Sequence, residues 1–283
     1  MKGVSPTRKR MFRVLCVVLA LALLAPNVFA ATPTPEVPLA DEATVTRVKN
    51  EIATGEITDM EDVFLVAYQH LGADLEEDGM TAYINEDGTL GITQIISSSR
   101  AEDGRHDNKE YVISSILLVD ANGNQITNYA TLLSNAATRA YGGLDSVMVY
   151  ANHNAYYLER WVRRENGILD CQARLSHMTT IIAYGSEDFR PSQLVQSFDA
   201  KQNHFEGYDE GSQTTENPVA HTTYYYPSGT LWYWSAVPND SAWGGGINTY
   251  ATVYIANFNL SFTVETHVNF FYDGTLPRGG VEP

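Results

Sequence analysis

Residues 257–271 read Asn-Phe-Asn-Leu-Ser-Phe-Thr-Val-Glu-Thr-His-Val-Asn-Phe-Phe, and one regular structure sorts them. The even positions are Phe258, Leu260, Phe262, Val264, Thr266, Val268 and Phe270, six of the seven apolar. Seven of the eight odd positions are polar. A period of two is that of a strand with one face on a core and one in water. A helix would place Phe258, Phe262 and Glu265 on one stripe and lose the separation. The segment belongs to the 25 residues from Ile247 to Phe271 that contain neither Gly nor Pro. Fully extended these would span about 80 Å, far beyond an ordinary strand. A bend is expected at Asn257–Asn259, with the first half buried on both faces through Ala251, Val253 and Ile255 on one side and Tyr250 and Tyr254 on the other.

Hairpin punctuation supports the same class. Glu86-Asp87-Gly88, Ala121-Asn122-Gly123, Glu165-Asn166-Gly167 and Pro227-Ser228-Gly229 share one form, which fits a type I turn closed by a glycine at positive φ. Strands are expected at Tyr111–Val119, Ser146–Tyr150, Tyr156–Val162, Ile168–Tyr184, Thr222–Tyr226 and Leu231–Ser235. Asn152-His153-Asn154 then reads as a turn. The chain is expected to be mainly β, an antiparallel sandwich or open barrel built from hairpins.

Two helices precede the strands. Val45, Val48 and Ile52 recur at helical spacing before Gly55. Thr58-Asp59-Met60-Glu61 reads as a capping box opening a second helix, with Met60, Val63, Phe64, Ala67 and Leu71 on one face and Gly72 as terminator. A pair this short at residues 40–72 must dock on the sheet, which makes α+β the alternative label. A further short helix is expected within residues 128–141, after a short strand at Asn124–Thr127. The polar stretch Gly207–Glu216 is read as a soft boundary between a β-rich region at 73–206 and an aromatic-rich β region at 217–283, possible parts of one domain.

The N-terminus reads as an address. Lys2, Arg8, Lys9, Arg10 and Arg13 precede the apolar run Val14–Leu24, and Val28-Phe29-Ala30 is a small-residue cleavage site. This is the pattern of a secretory signal peptide over residues 1–30, cleaved after Ala30. The apolar run of eleven falls short of the roughly 20 residues a membrane anchor needs. Residues 31–39, with three prolines, read as an extended spacer.

Losing five of its 18 Lys+Arg leaves the exported chain 13 against 34 Asp+Glu, a net charge of −21. That charge repels phosphate backbones and anionic lipid, which argues against nucleic acid as a partner. Cys171 is then the only cysteine, so stability rests on the core and the thiol reads as buried and inert.

The densest chemistry lies between His221 and Tyr272. A hairpin over Thr222–Ser235 would pair Tyr226 with Thr230 and Tyr224 with Trp232, placing Tyr224, Tyr226, Trp232 and Trp234 on one face. Trp243, followed by three glycines, would sit on a loop beside it. Such rings either stabilise the sheet as cross-strand pairs or offer a platform to the apolar face of a sugar. Tyr224–Trp234 resembles the aromatic hairpins of cell-wall-binding repeats, although it occurs once here. Asp74-x-Glu76-x-Asp78-Gly79 begins like a calcium loop but has Asn85 where the closing glutamate belongs. Glu265 and His267 share a strand face and would bind metal only with a third ligand from a neighbouring strand. No HExxH, GxSxG, SxxK, CxxC, P-loop or GxGxxG is present. The expectation is a secreted, non-catalytic binding protein contacting an extracellular glycan, cell wall or protein surface, with no cofactor. The alternatives are an extracellular hydrolase with a dispersed Asp/Glu/His site that includes His267, and a membrane-active β protein using the alternating strand as a stem.

Overall fold

The chain is mainly β, with two antiparallel sheets and a pair of helices docked on the larger one. The computed structural model describes residues 39–75, 79–100, 106–137, 146–163, 169–202, 207–219, 221–225, 234–236 and 245–270. The helices are α1 (Glu42–Thr54), α2 (Met60–Gln69) and α3 (Tyr129–Ala137). The strands are β1 (Met80–Ile84), β2 (Leu90–Arg100), β3 (His106–Val119), β4 (Val149–Arg163), β5 (Leu169–Tyr184), β6 (Gln193–Gln202), β7 (Gly207–Glu216), β8 (His221–Tyr225), β9 (Trp234–Ala236), β10 (Gly245–Ile255) and β11 (Leu260–Phe270). The larger sheet runs β1-β2-β3-β4-β5-β8, with β9 also on β5, and the smaller runs β11-β10-β6-β7.

Side-chain parity decides what each face of the larger sheet meets. Val112, Ile116, Tyr150, Tyr156 and Ile181 join Val48, Ile52, Val63 and Phe64 of the helices in one core. Tyr111, Ile113, Ala155, Tyr157 and Met178 face the other way and meet Phe198, Ile247 and Val268 of the smaller sheet. A third cluster, with Leu117, Val149, Ile182, Val253 and Val264, continues that sandwich core. The larger sheet is therefore the middle layer. Each fully buried aliphatic or Phe side chain contributes about 1.5–3 kcal/mol, so the helical pair is held by its apolar stripe rather than by propensity.

The capping differs from the capping-box reading in one detail. Asp59, not Thr58, caps α2, accepting from the amides of Glu61 and Asp62. Thr58 instead donates to Glu51, which Arg47 also binds at 2.8 Å. Burial opposes ionisation of Glu51, but the hydrogen bonds from Thr58 and Arg47 outweigh it and hold the carboxyl below its usual range. Gly88 and Gly123 close their turns at φ 81° and 79°, as the turn form requires. Gly167 and Gly229 lie outside the described residues.

Several expectations change. Asn152-His153-Asn154 is no turn. It is the middle of β4, paired with Ile116, Ser115 and Ser114 of β3 and with Ile181, Thr180 and Thr179 of β5. Both flanks of β4 are taken by neighbours, so its backbone is satisfied as a strand whatever its side chains prefer. Gly207–Glu216, read as a soft boundary, is the strand β7, bonded along its length to β6. Its charged and hydroxyl residues suit a free sheet edge, which polar side chains protect from pairing with other chains. The ribbon 247–271 does not merely bend: it folds back as the β10–β11 hairpin, Ile255 facing Leu260. Asn259 makes the reversal at φ 49°, a conformation Asn tolerates better than most residues. Val264, Thr266 and Val268 are buried and Ser261, Thr263 and Glu265 exposed, as the alternation requires. Phe258 instead belongs to the turn and is 44% exposed. Tyr250 and Tyr254 are not buried as expected, because the outer face of the smaller sheet is uncovered by any described element.

Candidate functional site

Of the five aromatic residues expected to form a contact face, Tyr224 lies on β8 and Trp234 on β9, while Tyr226, Trp232 and Trp243 lie outside the described residues. The pairing overturns the expected hairpin. Tyr224 faces Met178 and Trp234 faces Ala173, both on β5, and β8 and β9 are each antiparallel to it. The two strands thus run in the same direction, one after the other along a single edge. Thr222, the hairpin partner expected for Trp234, faces Thr180, seven residues and roughly 23 Å along β5 from Ala173. The long free edge of β5 offers more unmet backbone groups than a two-stranded hairpin and wins the chain.

A cleft of about 270 Å³ opens at the opposite rim of the sandwich. Its walls are the β1–β2 turn with Tyr83, Asn85, Glu86 and Asp87, Ser115 of β3, and the edge strand β11 with Glu265, Thr266 and His267. The turn is locked from within. Asn85 donates both amide hydrogens, to Thr89 at 2.8 Å and Ser115 at 3.0 Å. Asp87 accepts from the backbone and the hydroxyl of Thr89 at 2.9 and 2.7 Å. On the far wall His267 Nδ1 is hydrogen-bonded to Asn248 Oδ1, and Asn248 donates to Asp199 at 2.9 Å. This ladder crosses three strands because His267, Asn248 and Asp199 are in register. It fixes the imidazole and leaves Nε2 for another partner. Beside it, burial, then Asp199, raises the Tyr250 hydroxyl to about 12.

Glu265 and His267, singled out for their shared face, are therefore brought into one cleft with two further carboxylates. Among the described residues no group of three or more His, Cys, Asp or Glu is placed to hold a metal ion. The acidic calcium-like loop falls partly on residues 76–78, outside the described ones. Tyr83 carried no functional weight in the sequence, yet a signal was present. The Glu86-Asp87-Gly88 turn sets Tyr83 opposite Gly91, and a glycine within an alternating strand marks a close approach.

Behind the cleft runs a buried polar row. Thr266 meets Thr249 at 2.7 Å, Thr249 meets His153 Nε2 at 2.8 Å, and His153 Nδ1 meets Thr180 at 3.0 Å. His153 is fully buried, and burial pushes its imidazole down to about 3, so the ring is neutral. On the other face of the sheet His177 stacks on Tyr156 at 4.1 Å, and burial lowers its pKa too. His70 Nδ1 bonds the Val66 carbonyl in the last turn of α2. Cys171 faces Trp161 and Ala236 in register, on a strand shared with but distant from His177.

Comparison of the chain with models of known protein families, with curated proteins and with solved structures finds no match. Among the described residues no helix is long and apolar enough to cross a membrane.

Proposed function

We propose that the protein is an exported, non-catalytic binding protein that holds an extracellular glycan, cell wall or protein surface through Tyr224, Tyr226, Trp232, Trp234 and Trp243. The observation that carries this reading is the placement of Tyr224 and Trp234 on two in-line strands at the free edge of the larger sheet. An edge position is one a partner can reach, and aromatic rings supply much of the energy of such contacts. The test is retention of the full mature chain on immobilised cell-wall glycan. Trp232→Ala and Trp234→Ala each abolish retention while leaving the thermal unfolding temperature within a few degrees of the parent. Retention unchanged in both variants refutes the reading.

One observation favours a second reading, an extracellular hydrolase: Glu86, Asp87, Glu265 and His267 line one cleft, with His267 held by Asn248 so that Nε2 is left to take a proton from water. Its test is turnover of nitrophenyl glycosides and esters. Activity lost in His267→Ala supports it, and no activity in the parent removes it.

A further inference from the structure

Among the described glycines, an added Cβ meets its tightest obstruction at Gly91, where it would lie 2.2 Å from Cε2 of Tyr83 and 2.6 and 2.7 Å from the ring neighbours Cζ and Cδ2. Those three distances place the point directly above Cε2, along the normal to the ring. A point in the plane of the ring would be much farther from the two neighbours than from Cε2. The Tyr83 ring therefore lies flat on the Gly91 backbone, with one face against the sheet. Its hydroxyl reaches Thr93 at 3.4 Å, and burial raises its pKa to about 12. The residue keeps a partly exposed surface and lines the rim cleft, so its second face is the one turned to the cleft.

We infer that this cleft is a binding site for a single sugar ring, with Tyr83 as the stacking platform. The inference rests on the proposed glycan-binding function for its class of ligand, but it uses a different place on the molecule. The apolar face of a pyranose stacks on an aromatic ring, and its hydroxyls donate to side-chain acceptors that are left free. The cleft supplies both. Asn85 has committed its two amide hydrogens inside the turn, which leaves its carbonyl oxygen to accept. His267 has committed Nδ1 to Asn248, which leaves Nε2. A volume near 270 Å³ lies just below the range of drug-sized pockets, about 300 Å³ and upward, and suits one ring rather than an extended chain. Glu86, Asp87 and Glu265 face the cleft without a lysine or arginine among the lining residues, so neutral sugars enter and acidic sugars are repelled. Glycine at 91 is then a binding requirement, because any larger residue lifts the platform off the sheet.

The experiment titrates the full mature chain with methyl β-glucopyranoside, N-acetylglucosamine and glucuronic acid at millimolar concentration. The readout is the Gly91 amide and His267 imidazole resonances. At least one neutral sugar shifts both saturably, and glucuronic acid binds at least about tenfold more weakly. Tyr83→Leu and Gly91→Val each weaken the neutral sugar by about tenfold or more, the worth of one good stacking contact. Trp232→Ala leaves this titration unchanged. If Gly91→Val fails to fold, Tyr83→Leu and His267→Gln carry the test. No saturable shift with either neutral sugar, or equal binding by Tyr83→Leu, overturns the inference. Tryptophan-dependent retention on the glycan column would then still stand by itself, and loss of that retention dependence with an intact titration would sink the edge and spare the cleft.

Discussion

His153 should make the protein acid-labile in a window where its carboxylates have little effect. The side chain sits between the two sheets, fully buried, with Thr180 and Thr249 as its hydrogen-bond partners among the described residues. Neither hydroxyl offers a negative charge to an imidazolium, and desolvation alone pushes the pKa down to about 3. In the unfolded chain the same ring titrates near 6.5. Below that pH the unfolded state binds a proton that the native state refuses, so the contribution is present at neutral pH and lost as the pH falls. The slope is about 1.4 kcal/mol per pH unit, giving a loss of about 2 kcal/mol at pH 5. The assay is urea unfolding at pH 7, 6 and 5 for the parent and for His153→Gln, whose amide keeps one donor and one acceptor for the two threonines but cannot titrate. The variant starts less stable at pH 7 and loses about 2 kcal/mol less than the parent on going to pH 5. His177 titrates in both proteins and cancels in the comparison. Parallel profiles would refute the reasoning, since they would mean that the native state accepts a proton at His153 as readily as the unfolded chain does.

Other outcomes follow from buried groups and backbone. Phe64 is fully buried and packs edge-on against Tyr129 at 5.2 Å, so Phe64→Ala should cost about 3–5 kcal/mol in chemical denaturation, and a loss under about 1 kcal/mol would mean that the helical pair is not docked as described. Asn154 is fully buried and neither polar atom of its side chain has a partner among the described residues, so Asn154→Leu should be neutral or stabilise by about 1 kcal/mol; a clear destabilisation in the same assay would show that the amide is satisfied in solution. Arg47→Ala strips Glu51 of one partner at a half-exposed site and should lower the melting temperature slightly at neutral pH, less as the carboxyl protonates on acidification, which a pH series of melting curves checks. Asn259→Gly should leave stability within about 0.5 kcal/mol, whereas Asn259→Val should lose about 1–2 kcal/mol because a β-branched residue resists φ 49°.

The residues that declared themselves in the sequence were those whose local signal agreed with their neighbours. Val264 and Val268 alternate with exposed hydroxyls and are buried, and Val48, Ile52, Val63 and Phe64 form the stripe that docks the helices. Gly88 and Gly123 close the turns that their dipeptides announce. Residues whose conformation is set by distant partners were not legible. Asn152-His153-Asn154 has the composition of a turn, and only β3 and β5 on either side make it a strand. Asn259 reverses the chain without Gly or Pro, so a hairpin read as one ribbon. The segments holding Tyr224 and Trp234 looked like the two arms of one hairpin because Pro227-Ser228-Gly229 between them has the form of a hairpin turn, yet both pair with β5. The cleft escaped because its walls come from β1, β3 and β11, far apart in sequence. Only the Tyr83–Gly91 pairing was within reach, through the turn that joins their strands.

Everything said of the aromatic segment depends on β9 lying along β5 rather than against β8, and one thiol can decide it. Cys171 faces Ala236 directly in register and is the only cysteine beyond the first thirty residues. Facing residues in an antiparallel pair have Cα atoms about 4.5–5.5 Å apart, within reach of a disulfide. In Ala236→Cys, mild oxidation should therefore remove both free thiols, with a monomeric mass two hydrogen atoms lighter and no covalent dimer. Two thiols that persist, or that react only between molecules, would contradict the in-line edge and return Trp234 to a hairpin with Thr222.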